Sequence, residues 1–326
     1  MAAMILALPP SQSDAVLGAM RAIALAHGAG GVSDADRATI IAAARIVLGR
    51  DGFDPDAIEP VEPDRLAAAM RSAEDAQLAC RMLAVMALVD GRIDSEKIGL
   101  VEDFASALEL DEDYLRVLAE AAAGEIAAAS ACMIRKNAES FPELDASRLD
   151  EGAVAPFLPY RDGNDDRELE ARYLELERLP SGTFGRAFFD HFQRNGFLFP
   201  GNPDGLAEGF TTPHDSSHVL SGYSTSQQGE LCVSTFIGAM HPDHPMAAEV
   251  LPVIFSWHLG IKLNEIAKSY TGAFDPRKFW TAWERGDATT VDVVAEGWDF
   301  WAATQRPLAE LRAGYGVPPV AAELLA

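Results

Sequence analysis

Cysteine is scarce in this 326-residue chain: Cys80, Cys132 and Cys232 are its three, widely separated. An odd, scattered set excludes a disulfide framework and a Cys-x-x-Cys motif, and it points to a reducing compartment. Positive charge is short as well. With 26 Lys and Arg against 50 Asp and Glu, the formal net charge is -24. That balance excludes the basic patch that nucleic acid requires and weakens any generic electrostatic grip on anionic lipid. Long hydrophobic runs are missing too. No stretch reaches the roughly 18 to 20 apolar residues of a spanning helix; the nearest, 250–263, is broken by Pro252 and His258. The opening Met1 to Pro9 has no basic residue and too short an apolar run for a signal peptide. The expectation is a cytoplasmic protein that meets a membrane peripherally, from its surface.

At this length two cores can be buried, and the apolar fraction of 48% suits a globular protein. Ala, Leu and Met at helical spacing dominate 12–140 and predict helices near 12–27, 34–48, 62–72, 74–89, 95–108, 112–123 and 125–138. Strand-like alternation is nearly absent. Two helix starts resemble each other at an offset of about 61 residues: Gly31-Val-Ser33-Asp-Ala-Asp36 and Arg92-Ile-Asp94-Ser-Glu-Lys97. Each offers an N-cap oxygen (Ser33, Asp94) after an apolar residue, which suggests a duplicated helical hairpin. Asp90-Gly-Arg-Ile-Asp94 has half the look of a calcium loop but lacks its alternating carboxylates and terminal Glu; a loop with a helix cap is the better reading.

Residues 141–166, with Pro142, Pro156, Pro159 and Gly163 among acids, read as a linker. Beyond it the composition changes: all five Trp and most Phe follow residue 180. Helices are expected near 167–178, 183–194, 204–222, 227–240, 246–270, 276–284, 289–304 and 306–313. The fold class is therefore all-α, as two helical domains, 1–140 and 167–326, joined by 141–166. A homo-oligomer is expected.

Histidine is rare, seven in all, yet two stand in Pro213-His214-Asp-Ser-Ser-His218, and Glu230 follows after eleven intervening residues. Histidines four apart share one helix face and can present two neutral imidazoles to one metal ion. Glu230 in the first turn of the next helix would add a carboxylate. Asp215 points about 100° from His214 on the helix, so it is either a ligand at the edge of the site or an acceptor that fixes an imidazole tautomer. Cys232 is a further candidate ligand, although a small buried residue is the simpler reading. His-Asp here is one methylene short of the zinc-protease His-Glu pair. A phosphohydrolase of the His-Asp type would need another histidine, for which His191 is the candidate. Met240-His-Pro-Asp-His244-Pro reads as a rigid turn rather than a second ligand cluster. His27 reads as a helix C-terminal residue, and His258 as a satisfied core histidine.

The spacing H-D-x-x-H-x11-E resembles that of the Coq4 family of ubiquinone-biosynthesis proteins. Leu179-Pro-Ser-Gly-Thr183-Phe-Gly185 resembles its L-P-x-G-T-x-G segment, Gly229-Glu230 its G-E pair, and Leu308-Ala-Glu-Leu-Arg312 its L-x-x-L-R. The resemblance covers about 179–317. The chain departs from the family at Gly209-Phe-Thr-Thr-Pro213, where charged residues are usual. It departs again at Ser216 and Ser217, where apolar residues are usual, and at Val233-Ser234, where a basic residue often follows the Glu. Residues 12–140, through the Asp-Gly turn at Asp90, are similar to TerB-like helical domains.

The Coq4 resemblance implies a divalent metal (Zn²⁺ first, Fe²⁺ second) on His214, Asp215, His218 and Glu230. It also implies a prenylated quinone precursor or other isoprenoid lipid as ligand, proteins of a biosynthetic complex as partners, and oxidative decarboxylation of the head group as the activity. The alternative is a non-catalytic isoprenoid-binding scaffold with a structural metal. Phe184, Phe188 and Phe192 recur on one helix face, and Val253, Ile254, Trp257 and Ile261 form a second apolar stripe. Each of these suits a core position; together they predict a groove for an apolar tail, lined by Phe184, Phe188, Phe192, Val253 and Trp257.

Overall fold

The computed structural model describes residues 8–26 and 31–325, so His27 lies outside the described residues. The chain is all-α. Seven helices come first: α1 (Pro10–Leu25), α2 (Asp34–Ile46), α3 (Pro63–Ala69), α4 (Ala73–Met86), α5 (Ser95–Ala107), α6 (Asp113–Ala122) and α7 (Ile126–Ser140). After 3-10 turns at Ala146–Asp150 and Ala155–Phe157 come α8 (Arg167–Leu174), α9 (Phe184–Asn195), α10 (Glu208–Ser221) and α11 (Gln227–Met240). A π-helical turn, Pro245–Val250, runs directly into α12 (Leu251–Trp257). The chain closes with α13 (Pro276–Asp287), α14 (Phe300–Ala303) and α15 (Leu308–Gly314). Among the described residues no helix is long and apolar enough to cross a membrane. Among the described residues there is no strand; two isolated bridges join Thr183 with Pro307 and Leu259 with Thr271.

The two look-alike helix starts are capped as their sequences predict. Ser33 accepts from the Asp36 N–H in a reciprocal capping box, and Asp94 accepts from the N–H groups of Glu96 and Lys97. Equivalent positions of the two units then meet. Lys97 Nζ lies 2.8 Å from Asp36 Oδ1 and 3.1 Å from Asp90 Oδ2, with Lys97 and Asp36 wholly buried. Such a charge is tolerated inside only when paired and hydrogen-bonded. Asp90 and Asp94 are thus spent on an ion pair and a cap.

Apolar residues gather in two cores of different character. The first is aliphatic and alanine-rich over α1 to α7, and it also takes in Met246, Val250 and Leu251, with Phe279, Trp280 and Trp283 of α13. The second is aromatic: Phe184, Phe188 and Phe192 of α9 pack with Tyr173, Phe199 and Phe300. The 141–166 segment is pinned to this second core by buried Phe157, while the Tyr160 hydroxyl accepts from the Glu208 N–H at 3.3 Å.

Two predicted helices are shorter in the structure. The one expected over 246–270 ends at Trp257, because Gly260 turns at a left-handed φ of 75° and His258 is held by the first half of the chain. Of 289–304 only Phe300–Ala303 is helical. Asp292 accepts from the N–H groups of Val294 and Ala295, making a local turn that competes with helix.

Candidate metal centre

Helix α10 carries both histidines, and its end aims them. Gly222 takes a left-handed conformation (φ 84°) and closes the helix with its N–H on the His218 carbonyl. The chain then doubles back, and Ser226 caps α11 by accepting from the Gly229 N–H. Gly229 is required here: a Cβ would come within 2.0 Å of the Ser224 carbonyl oxygen. This close approach presses the turn onto the first turn of α11 and brings Glu230 opposite the imidazoles.

The geometry is that of a cation cradle. Glu230 Oε2 lies 3.6 Å from His214 Nε2, and Glu230 Oε1 lies 3.7 Å from His218 Nε2. Ligand atoms of the three residues all fall within 4.8 Å of one another. The two facing distances exceed hydrogen-bond range but are close to the edge of a tetrahedron with metal bonds of about 2.0–2.2 Å, roughly 3.4 Å. His218 Nδ1–H donates to the Tyr223 carbonyl at 3.0 Å, so a neutral ring carries its lone pair on Nε2. That nitrogen is buried without a hydrogen-bond partner among the described residues. Donation from the far ring nitrogen to a carbonyl is the usual support of a metal-bound histidine. Flat neighbours fix both rings: Phe210 stacks on His214 at 5.4 Å between centroids, and His191 on His218 at 5.2 Å.

Electrostatics favour positive charge in the gap between the imidazoles and Glu230. Burial works against ionisation of Glu230, but the two imidazoles opposite outweigh it and hold its carboxyl well below the usual range. Burial likewise opposes charge on His218, and Glu230 opposite raises its affinity for a proton above that of a free histidine. A proton is therefore favoured in the space that a cation would take.

Of the four residues expected as ligands, the structure brings together His214, His218 and Glu230. Asp215 faces elsewhere: its Oδ1 accepts from His191 Nε2–H at 2.8 Å and its Oδ2 from the Thr211 hydroxyl at 2.7 Å. It takes the supporting role, holding the ring that stacks on His218. His191 lies 24 residues before Asp215 and comes from α9, a pairing that no local motif announces. With Nε2 committed to Asp215, His191 does not complete a phosphohydrolase set. Cys232 is buried, its thiol pushed up to about 12 by burial, and its sulfur accepts from Gln228; it stands outside the cluster. His241 and His244 are engaged separately, with Asp292 and Asp113. His258 is satisfied on both ring nitrogens, by the Val89 carbonyl and the Phe274 N–H.

The cradle opens on a cavity of about 820 Å³, into which His214 and Glu230 project. Phe192, Val253 and Trp257 line it, as the tail residues were expected to. Phe184 and Phe188 do not; they lie inside the aromatic core against Phe300. A helix face four residues wide can serve two neighbours, and here only its C-terminal phenylalanine reaches the cavity. Phe210, Ser234 and Glu249 also line the cavity and were not foreseen as cavity residues in the sequence. Ser234 had a signal, standing one turn beyond Glu230 on the same face.

No family model matches the chain, and no curated protein matches it.

Proposed function

We propose that this chain binds a divalent metal through His214, His218 and Glu230 and holds a prenylated aromatic compound in the adjoining cavity, as a protein of isoprenoid-quinone biosynthesis. One observation carries the reading: a buried, unpartnered His218 Nε2 faces an ionised Glu230 across a gap too long for a hydrogen bond, at the edge of a large, mainly apolar cavity. When bound, a divalent metal here supplies Lewis acidity, and an iron ion also oxygen chemistry.

The chain's own residues do the rest. Phe192, Val253 and Trp257 offer apolar surface to a tail and shield the head group from water. His191 and Asp215 keep the His218 face rigid. Three protein ligands, with Asp215 and Cys232 engaged elsewhere, leave coordination free for a substrate oxygen, which supports catalysis over a scaffold whose metal is closed off. Elemental analysis of the purified protein, with mass spectrometry of an organic extract, tests the reading. The expected result is one equivalent of zinc or iron and a lipid with an isoprenoid chain. A metal-free protein, or an extract with fatty acids alone, overturns it.

A further inference from the structure

A second polar group waits deeper in the same cavity. Glu249 lines it, is 3% exposed, and has no Lys, Arg or His within ion-pair distance among the described residues. Its Oε1 accepts from Asn137 Nδ2 at a long 3.4 Å, while the same Asn137 nitrogen is anchored by the Ala248 carbonyl at 2.9 Å. Its other oxygen makes no hydrogen bond among the described residues, nor does the Ser234 hydroxyl on the same wall. The backbone that carries Glu249 is the π-helical turn Pro245–Val250. Such turns are uncommon and are frequently found at functional sites.

Position relates this group to the metal centre. Glu230 and Ser234 both face the cavity from α11, one turn apart. Gly238, one turn further, packs on Glu249: a Cβ there would lie 3.1 Å from the Glu249 Cβ. Glu249 therefore stands about two turns along α11 from Glu230, about 12 Å at about 1.5 Å per residue. That spacing accommodates one aromatic ring gripped at both ends, by a metal bond of about 2 Å and a hydrogen bond of about 2.7 Å.

We propose that Glu249 is the second anchor of the metal-bound ligand, donating a hydrogen bond to an oxygen on the far side of its head group. The inference rests on the metal-centred reading above and narrows it to ligands with oxygen functions at opposite ends of a ring. The tail then leaves past Val253 and Trp257. Burial without a counter-charge raises the Glu249 carboxyl to about 8, so it carries the proton it donates at neutral pH. A carboxylate left unpaired in such a place would be costly; a protonated acid beside an apolar wall is a directional reader of oxygen.

The test uses cobalt(II)-loaded full-length protein, whose visible spectrum reports ligands at the metal. Two probes share a carboxylate for the metal and nearly the same shape: para-acetylbenzoate, with a carbonyl oxygen at the far end, and para-isopropylbenzoate, without one. Wild type is expected to prefer the acetyl probe about 3- to 10-fold, the worth of one hydrogen bond. Glu249→Gln, which keeps a donor, retains the preference, and Glu249→Met abolishes it. Equal binding of both probes by wild type, or an undiminished preference in Glu249→Met, overturns the anchor and leaves the metal reading standing. Tighter binding of para-(aminomethyl)benzoate than of the acetyl probe also overturns it, because Glu249 would then be an anion awaiting a cation. If no probe perturbs the cobalt spectrum, the metal-centred reading falls and the anchor with it.

Discussion

Two places in the molecule bring a pair of histidines together with carboxylates, and they resolve in opposite ways. At His241 and His244 the chemistry is complete. His241 Nδ1 lies 2.7 Å from Asp292, and its Nε2 reaches the Ser140 carbonyl at 3.0 Å. His244 is hydrogen-bonded to Asp113. At His214 and His218 the carboxylate stands back by 3.6 and 3.7 Å, and one buried nitrogen has nothing to bond. The difference teaches that a ligand set is recognised less by residue type than by an unmet need. Direct contact ties helices together; a shared gap invites a third body. Helical spacing sets the gap, since residues four apart on α10 point the same way, whereas Pro242 and Pro245 around the other pair leave each ring to find its own partner.

The largest expected effect removes the gap altogether. His218→Ala should lower metal affinity more than about 100-fold, beyond the roughly 10- to 100-fold typical of supporting residues, with helix content unchanged. His241→Ala should leave metal content intact and lower stability instead. Elemental analysis and circular dichroism on both variants check this; equal metal loss in the two would erase the distinction drawn here. A smaller effect belongs to Asp215→Asn. With the His191 bond weakened, metal affinity should fall about 10- to 100-fold, measured by competition with a chelator. An unchanged affinity would make His191 and Asp215 mere core.

The smallest effect concerns pH. Burial opposes charge on His241, but Asp292 outweighs it and raises the folded-state proton affinity above that of an unfolded histidine. The folded state thus binds the proton more tightly. Its stabilisation is fully present below the unfolded value of about 6.5 and is lost as pH rises through the raised folded value. Denaturant titrations of wild type and Asp292→Asn should differ by about 1 kcal/mol in the mildly acidic range, about pH 5 to 6, and converge as pH rises past the raised folded value of His241. A difference that grows with pH would show that this pair is not charged.

How much of this was legible in the sequence follows from the range of each cause. The all-α character, the caps at Ser33 and Asp94, and the placement of Glu230 in the first turn of α11 depend on neighbours within a few residues, and all three were readable. The end of α12 at Trp257 was not. Residues 250–263 are mostly apolar and read as helix, and the helix stops because His258 is drawn to Val89, 169 residues away. His191 was weighed for the wrong partner for the same reason: its bond to Asp215 depends on how α9 crosses α10. Glu249 drew no reading from the sequence, because the absence of a counter-ion is a property of its surroundings alone.

The pairing of Asp36 with Lys97 has a consequence for which of the two units can pack against which. The two hairpin units sit at matching positions, yet one presents an acid and the other a base. A unit meeting its own duplicate in another molecule would set acid against acid or base against base, in a place where water cannot relieve the repulsion. Divergence at one pair of positions thus makes the pairing of unlike units complementary and the pairing of like units unfavourable.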